Sequence, residues 1–413
     1  MKIHTLLNYL LLFACGSTLA HTATIRTEQA AIEYALSNNP NLRAARQVVD
    51  IAKARHLGAG RLSNPELGAT VAGGDRFEGR IELGLTQRFP LTNRLRLEKE
   101  ISQLELEAAS WEIAKAEREL RIQVRQAFLD LASAHETVAL RKQQNKISQS
   151  FADTLEKFVK EGFTSHLDQE QASLEALGFL IATKDASAEI ASYESTLARL
   201  LGLSAENLKA IGNPVGLALP KSLPARRALA KRPEIRLAEI AFEAAQKDIS
   251  LARAMRWEDI ALTLFVEAER DPESFNGIAK ETLLGLSVSL PLPLWQSTKA
   301  AVQERQAIAD QRALLLEALE RISAQEAQTT WKEMQARFAA AEILQNKAIP
   351  LVSKLLTETQ AAYDRGEIGS ENLFRIRQRK AEIEFDALQQ RLEFHRARAA
   401  WLNATGTPVK PIR

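Results

Sequence analysis

The sequence predicts a mainly α fold built on two very long helices, with four short strands of the kind that face a membrane. Three observations predict it. Residues 91–161 contain neither Gly nor Pro. As one helix rising ~1.5 Å per residue, such a stretch would be roughly 100 Å long, far beyond the usual globular helix of about 11–12 residues. Its apolar residues follow a coiled-coil seam. Ile113, Leu120, Ala127 and Ala134 recur every seven residues, and Val124, Leu131 and Val138 fall four later in each heptad, with Glu117 breaking that second row. A second stretch, 294–365, is interrupted only by Pro350. Four segments elsewhere alternate apolar and polar residues with period two.

Taken in order, the chain opens on an export signal. Lys2 is the positive start, Leu6, Leu7, Tyr9, Leu10, Leu11, Leu12 and Phe13 form a short apolar run, and Thr18-Leu19-Ala20 is a small-residue cleavage site. The run falls short of the ~20 residues that span a bilayer. The signal peptide is therefore read as 1–20. The single cysteine, Cys15, lies inside it, and Leu12-Phe13-Ala14-Cys15 weakly resembles a lipoprotein box. A mature chain without Cys15 has no thiol, which excludes disulfides, thiolate metal ligands and cysteine catalysis. Formal net charge is +2, so there is no nucleic-acid footprint.

Residues 27–61 read as a helix with Thr27 as N-cap and Glu28 in its first turn, broken briefly at Asn39-Pro40. From 66 to 72, Leu67, Ala69 and Val71 alternate with Gly68 and Thr70, and Gly73-Gly74-Asp75 makes a turn. From 80 to 89, Ile81, Leu83, Leu85 and Phe89 alternate with Arg80, Glu82, Gly84, Thr86 and Arg88. The second half repeats this. Ile260, Leu262, Leu264 and Val266 alternate with Ala261, Thr263, Phe265 and Glu267, a polar loop fills 270–280, and Thr282, Leu284, Leu286, Val288 and Leu290 alternate with Gly285, Ser287 and Ser289. Alternation with charges on the minor face is the pattern of a barrel strand or of a half-buried hairpin.

Landmarks recur in order. Asn39-Pro40 matches Arg232-Pro233, Phe89-Pro90 matches Leu290-Pro291, Gly162 matches Gly366, and Leu201-Gly202 matches Thr405-Gly406. The chain thus divides into a first repeat (21–202), a linker with Pro214, Pro220 and Pro224 (203–223), a second repeat (224–406) and a tail (407–413). Four strands in one chain leave two open edges, which hydrocarbon does not tolerate, so closure calls for several chains. The closed sheet would offer Ile81, Leu83, Leu85, Leu262, Leu264, Leu284 and Leu286 to lipid, and Glu82, Thr86, Arg88, Thr263 and Ser287 to water.

Two such repeats, the export signal and Tyr363-Asp364-Arg365-Gly366 leading through a polar run to Asn372-Leu373 resemble the outer-membrane efflux protein family, whose archetype is the TolC channel. The resemblance covers nearly all of the mature chain. It implies a homotrimer in which three chains of four strands close a 12-stranded β-barrel, continued as a long α-helical coiled-coil barrel across the periplasm. It implies an outer-membrane location, a periplasmic adaptor (membrane fusion) protein and an inner-membrane pump of the resistance-nodulation-division type as partners. Length and the short tail look most like the outer-membrane subunits of cobalt-zinc-cadmium type efflux systems, which makes divalent heavy-metal cations the expected cargo.

The same resemblance places the two helix-to-helix turns at the periplasmic tip. Gly162, Phe163, Ser165 and Leu167 in the first turn, and Gly366, Ile368, Ser370 and Leu373 in the second, are then the adaptor-docking positions. Asp168 and Asn372 match the acidic-ring positions of the gate, where this sequence departs with Asn for Asp and has Arg375 one turn on. Tyr363 matches the constriction tyrosine. Arg365 lies in the same turn, but Ile368 stands where the family has its constriction arginine. From the residues alone, each Gly is a left-handed helix cap.

No enzyme chemistry is legible. His4, His21, His56, His135, His166 and His395 are scattered and form no i, i+3 or i, i+4 pair, so neither a metal site nor a cofactor is expected. There is no phosphate loop and no nucleophile elbow. Glu98, Glu105, Glu112 and Glu119, at seven-residue spacing, read as a solvated face. Two other readings stay open: a protein-secretion or drug-efflux channel of the same fold, and a periplasmic coiled-coil structural or adaptor protein.

Overall fold

The computed structural model describes residues 23–73, 79–204, 206, 208–209, 232–271, 279–293 and 298–405. The export signal with Cys15, the turn residues Gly74 and Asp75, most of the 203–223 linker, Gly406 and the 407–413 tail lie outside the described residues. Contacts divide the chain into two compact units, one within 1–37 and 124–215 and the other within 38–123 and 216–413.

The first unit begins with a two-residue strand, β1 (Ala23–Thr24), paired in parallel with β4 (Leu208–Lys209). Helix α1 (Glu28–Asn38) starts where expected, with the Thr27 hydroxyl accepting from the Ala30 N–H at 3.2 Å. Arg125 donates to Glu28 in the first turn of α1, where a carboxylate also suits the helix dipole. The distal part of α3 (Arg94–Lys160) buries Val124, Leu131, Val138 and Leu155, and α4 (His166–Leu201) buries Ala172, Ala176, Leu197 and Leu201.

The second unit holds α2 (Pro40–Gly58), the proximal part of α3 and the whole second half of the chain. Asn39 caps α2, its side chain accepting from Leu42 N–H at 3.0 Å, and Pro40 occupies the first turn, where a missing N–H costs nothing. The heptad row of α3 is buried as expected at Ile113 and Leu120, and the exception explains itself: Glu117 meets Arg46 of α2 at 3.2 Å. In the row of glutamates, Glu105, Glu112 and Glu119 are exposed.

Helix α5 (Pro233–Ala254) packs on α6 (Lys299–Ile343) through Ala245, Ile249 and Ala309. Helix α6 packs on α8 (Ser370–Thr405) through Met334, Phe394, Ala397 and Trp401, with Trp331 and Phe338 at the edge. The Trp331 and Trp401 rings lie 5.5 Å apart, as do those of Phe338 and Phe394. Beside this core four segments meet on buried charge. Arg118 of α3 donates to Glu234 in the first turn of α5 and to the Asn403 carbonyl near the end of α8. Arg232 donates to Glu326 at 2.9 Å and to the Ala404 carbonyl at 3.4 Å. Cations at the last carbonyls of a helix are favoured by its dipole. Burial pulls the Arg118 guanidinium below its ordinary value, with the Glu234 carboxylate opposing.

Pro350 does not end the second long helix. Helix α6 runs into a five-residue π-helix, Leu344–Ala348, and continues as α7 (Ile349–Asp364) with Pro350 in its first turn. The widened turn carries the chain past the residue that cannot donate.

Strands β2 (Glu66–Gly73), β3 (Gly79–Phe89), β5 (Ile260–Asp271) and β6 (Ala279–Ser289) form one antiparallel sheet in the order β2-β3-β5-β6. The ladder between β5 and β6 runs on to Asp271 and Ala279, further into the expected 270–280 loop than the side chains suggest, because backbone groups pair whatever the side chains are. Register puts the expected residues together. Val71, Ile81 and Ala268 lie across from one another, as do Ala69, Leu83, Val266 and Leu284, and Leu67, Leu85, Leu264 and Leu286. One face is thus apolar and exposed, with Leu67 at 79% and Leu284 at 69%.

The other face is polar and stratified. Arg80 reaches Glu267 at 2.8 Å and Glu82 at 3.0 Å; Thr86 and Thr263 share a hydrogen bond at 2.8 Å; Arg88 lies 3.4 Å from Glu66. Between the carboxylate and hydroxyl levels, Gly68, Gly84, Phe265 and Gly285 occupy one rung across all four strands. The Phe265 ring lies over Gly285, where an added Cβ would sit 2.2 Å from its Cζ.

Helix α2 turns toward β2 at Gly60, whose φ is +67° and whose missing side chain admits the Leu95 carbonyl: a Cβ there would lie 2.4 Å from that oxygen. Gly60→Ala therefore combines left-handed strain of roughly 1–2 kcal/mol with a backbone clash. It should lower thermal stability clearly in calorimetry. Gly58→Ala, with nothing within 4 Å, should leave stability unchanged or raise it by up to ~1 kcal/mol. Equal melting of the two variants would contradict this account.

Candidate functional site

The candidate site consists of the two helix-to-helix turns and the two-faced sheet. Each turn belongs to its own unit. In the first, α3 ends and Gly162 takes φ +82°. Its N–H donates to Val159 O at 3.1 Å and the Phe163 N–H to Phe158 O at 2.8 Å, the paired bonds of a Schellman cap. The apolar contact that accompanies such a cap is present as the Phe158 and Phe163 rings, edge to face at 6.4 Å. Phe163 and Leu167 remain 77% and 72% exposed, an apolar surface on an otherwise polar turn.

Helix α4 then starts from a capping box. Asp168 N–H donates to Ser165 Oγ at 3.1 Å, and Asp168 Oδ2 accepts from the Ser165 N–H at 3.4 Å, the Ser165 hydroxyl at 2.8 Å and the Thr164 hydroxyl at 3.0 Å. The carboxylate expected at the gate is thus fixed within its own turn.

The second turn keeps the backbone and replaces the side chains. Gly366 takes φ +75°, its N–H donates to Tyr363 O at 2.9 Å and the Glu367 N–H to Ala362 O at 2.9 Å. Where the first turn closes with two rings, this one closes with an ion pair, Arg365 Nε and Nη2 meeting Glu367 Oε1 and Oε2 at 2.6 and 2.8 Å. Where the first has Ser165 and Asp168, this one has Gly369 and Asn372. Asn372 N–H donates to Gly369 O at 3.2 Å, and the Asn372 Oδ1 accepts from Arg375 at 2.7 Å. The two turns therefore present different chemistry: exposed apolar rings with a locked carboxylate in one, a surface ion pair and an amide in the other.

Of the expected docking residues, Gly162, Phe163, Ser165, Leu167 and Gly366 are exposed, and Ile368 and Ser370 are half-buried. Leu373 is the correction. It is fully buried, with Phe374 beside it at 6% exposure, so it supports the turn from beneath and offers no surface. Of the gate residues, Arg365 is exposed and Asp168, Tyr363 and Asn372 are half-buried. Among the described residues no group of three or more His, Cys, Asp or Glu is placed to hold a metal ion. No helix among them is long and apolar enough to cross a membrane.

The sequence matches the outer membrane efflux protein family over residues 31–203 and again over 225–405. The chain belongs to that family. Among curated relatives it is similar to the cobalt-zinc-cadmium resistance protein CzcC of Cupriavidus metallidurans, 27% identical over 280 residues; that match spans 64% of this chain and 63% of CzcC. Among solved structures, the outer-membrane channel OprN superposes with a TM-score of 0.77 at 21% identity, covering 92% of this chain and 89% of that one. The structure of CusC, described in connection with transmembrane channel formation, superposes with a TM-score of 0.74 at 18% identity, covering 94% and 95%. The efflux-family fold is thus the fold of this chain. A periplasmic adaptor with no membrane strands is set aside.

Sequence reasoning missed the unlike closure of the two turns. Its signals were present: Ser165-x-x-Asp168 is a capping-box pattern, and Gly369-x-x-Asn372 is the same position without it.

The Arg365 hydrogen bonds hold the Glu367 carboxyl below its ordinary value. A depressed carboxyl stabilises above its unfolded-state value, and that contribution is lost as pH falls through the folded value. The ion pair should therefore survive mild acid and open only below the ordinary glutamate range. The Glu367 carboxyl-carbon shift, followed by NMR against pH, should titrate low in the wild type and return toward the ordinary value in Arg365→Gln. Identical titrations would rule out the pair.

Proposed function

We propose that this protein is the outer-membrane exit duct of a three-part efflux pump, working as a homotrimer that carries divalent heavy-metal cations outward without binding them. The observation that carries the reading is the sheet. One face is apolar and exposed, the other is polar, and β2 and β6 are edges whose backbone groups need partners in hydrocarbon. Three copies joined edge to edge give twelve strands, an apolar outside and a water-facing inside carrying Glu82, Thr86, Arg88, Thr263 and Ser287. Family membership supports the duct, and the similarity to a protein named for cobalt-zinc-cadmium resistance supports the cargo.

In this reading the helix tips meet a periplasmic adaptor, which links the duct to an inner-membrane pump of the resistance-nodulation-division type. Gly162, Phe163, Ser165, Leu167, Gly366, Ile368 and Ser370 form the docking surface, with Phe163 and Leu167 as its apolar anchors. Asp168, Tyr363, Arg365 and Asn372 form the gate. Cations are favoured by field, since carboxylates attract them at a distance without ligation.

The mature chain should be recovered as a trimer in the outer-membrane fraction. Deleting its gene should sensitise cells to zinc, cobalt or cadmium, while the pure protein holds no stoichiometric metal. Unchanged metal tolerance with new sensitivity to organic drugs would reject the cargo and leave the duct; a soluble monomer would reject both.

A Cβ on Gly162 meets nothing within 4 Å, so Gly162→Val costs only the left-handed backbone, roughly 1–2 kcal/mol. The variant should accumulate trimer normally, lose efflux and crosslink weakly to the adaptor. Normal export by this variant would remove the first turn from the docking surface.

A further inference from the structure

Along the part of the two long helices that leads to the tips, the copies differ by one residue at one place. In α3, Leu120, Val124, Leu131 and Val138 are buried; 203 residues on, Ser323, Ala327, Met334 and Ala341 are buried in α6. Closer to the tips the spacing becomes 204. Ser148 and Val352 are both buried, and Gly162 and Gly366 both take positive φ. The additional residue therefore falls between Ala341 and Val352, where the π-helix Leu344–Ala348 lies. A π-turn is how a helix takes in a single residue while both flanks keep their faces.

The turn is weak by construction. The Ile349 N–H reaches back five residues to Leu344 O. Pro350 follows with no N–H, leaving the turn one donor short. Gln345, Asn346 and Lys347 are exposed, so water competes for the carbonyls there. On the tip side, Val352 is the one buried side chain of α7. The fold does not demand any of this, because α3 covers the equivalent path as uninterrupted α-helix from Arg94 to Lys160. A defect that one copy does without, placed between the packed aromatic core of α6 and the Tyr363–Gly366 turn, has the mechanical properties of a joint.

We infer that the π-turn Leu344–Ala348 with Pro350 is a hinge on which α7 and the second tip swing, while the first tip, on an unbroken helix, has no such joint. The hinge itself follows from the helix geometry. Only its consequence for transport rests on the duct reading.

The test uses the full-length protein. Deleting Asn346 removes the additional residue and should convert the π-turn to α-helix without turning either flank. In wild-type protein, amides of 344–352 should exchange with deuterium about tenfold or more faster than those of the equivalent segment 140–148, because opening is local. In the Asn346 deletion that difference should vanish. The deletion should still form membrane trimers, yet show few open-channel events in planar bilayers and little export. Pro350→Ala, which keeps the length and restores the donor, should move exchange and opening in the same direction by less. Equal exchange of the two segments in the wild type would overturn the hinge. So would slowed exchange in either variant with wild-type opening and export, since the turn would then be soft but idle. If the deletion fails to assemble, the Pro350→Ala comparison decides alone. A wild-type protein that never conducts would sink the duct reading, while the exchange result would still stand or fall on its own.

Discussion

Hydrogen-bond pairing of the sheet edges governs this molecule. Strands β2 and β6 each have a neighbour on one side only, and the apolar face they share belongs in hydrocarbon. No water is available there to satisfy the outer N–H and C=O groups, so an open edge costs several kcal/mol per unsatisfied group. A single chain with four strands cannot curl far enough to pair its own edges. Within one chain, the ion network of Arg118, Glu234, Arg232 and Glu326 ties helix ends together, and the Pro at each strand exit leads the chain out of the sheet.

Duplication explains the plan, and divergence between the copies explains the detail. Backbone features survive in both: the cap at the start of α2 and α5, the positive-φ Gly at each tip, and the paired bonds behind it. Side chains do not. Asn39 caps α2 by its own oxygen, whereas Arg232, at the matching place, sends its guanidinium into the buried network and makes no cap bond. The tips diverge likewise, with rings and a capping box in one and an ion pair in the other. Backbone geometry is needed to build either copy. Side chains were free to specialise once each copy faced different neighbours.

How much of this was legible depends on the range of the interaction. The long helices were readable from the absence of Gly and Pro and from the heptads. The two faces of the sheet were readable because side-chain period fixes them, and the register then placed Leu83 beside Val266 as alternation required. What escaped was whatever depends on a distant partner. Glu117 stood out as an anomaly, but Arg46 lies 71 residues away. Leu373 looked like a tip residue and is buried, since its burial is set by packing and not by its place in the turn. Pro350 was visible, yet a proline in a helical pattern usually ends or kinks it. That a π-turn absorbs it became clear only when buried positions in the two copies could be counted against each other.

The order of the strands also bears on how the protein reaches its membrane. Strand β3 pairs with β5, so the two hairpins are joined across Gly79↔Arg270 through Phe89↔Ile260. Nearly half the chain separates them. During synthesis and export the first hairpin emerges long before its neighbour exists, and its apolar face and inner edge have nothing to pair with. Non-local strand pairing of this kind is slow and prone to association with wrong partners. The first hairpin therefore travels with an unpaired inner edge until the second is made, a hazard that the strand order itself builds in.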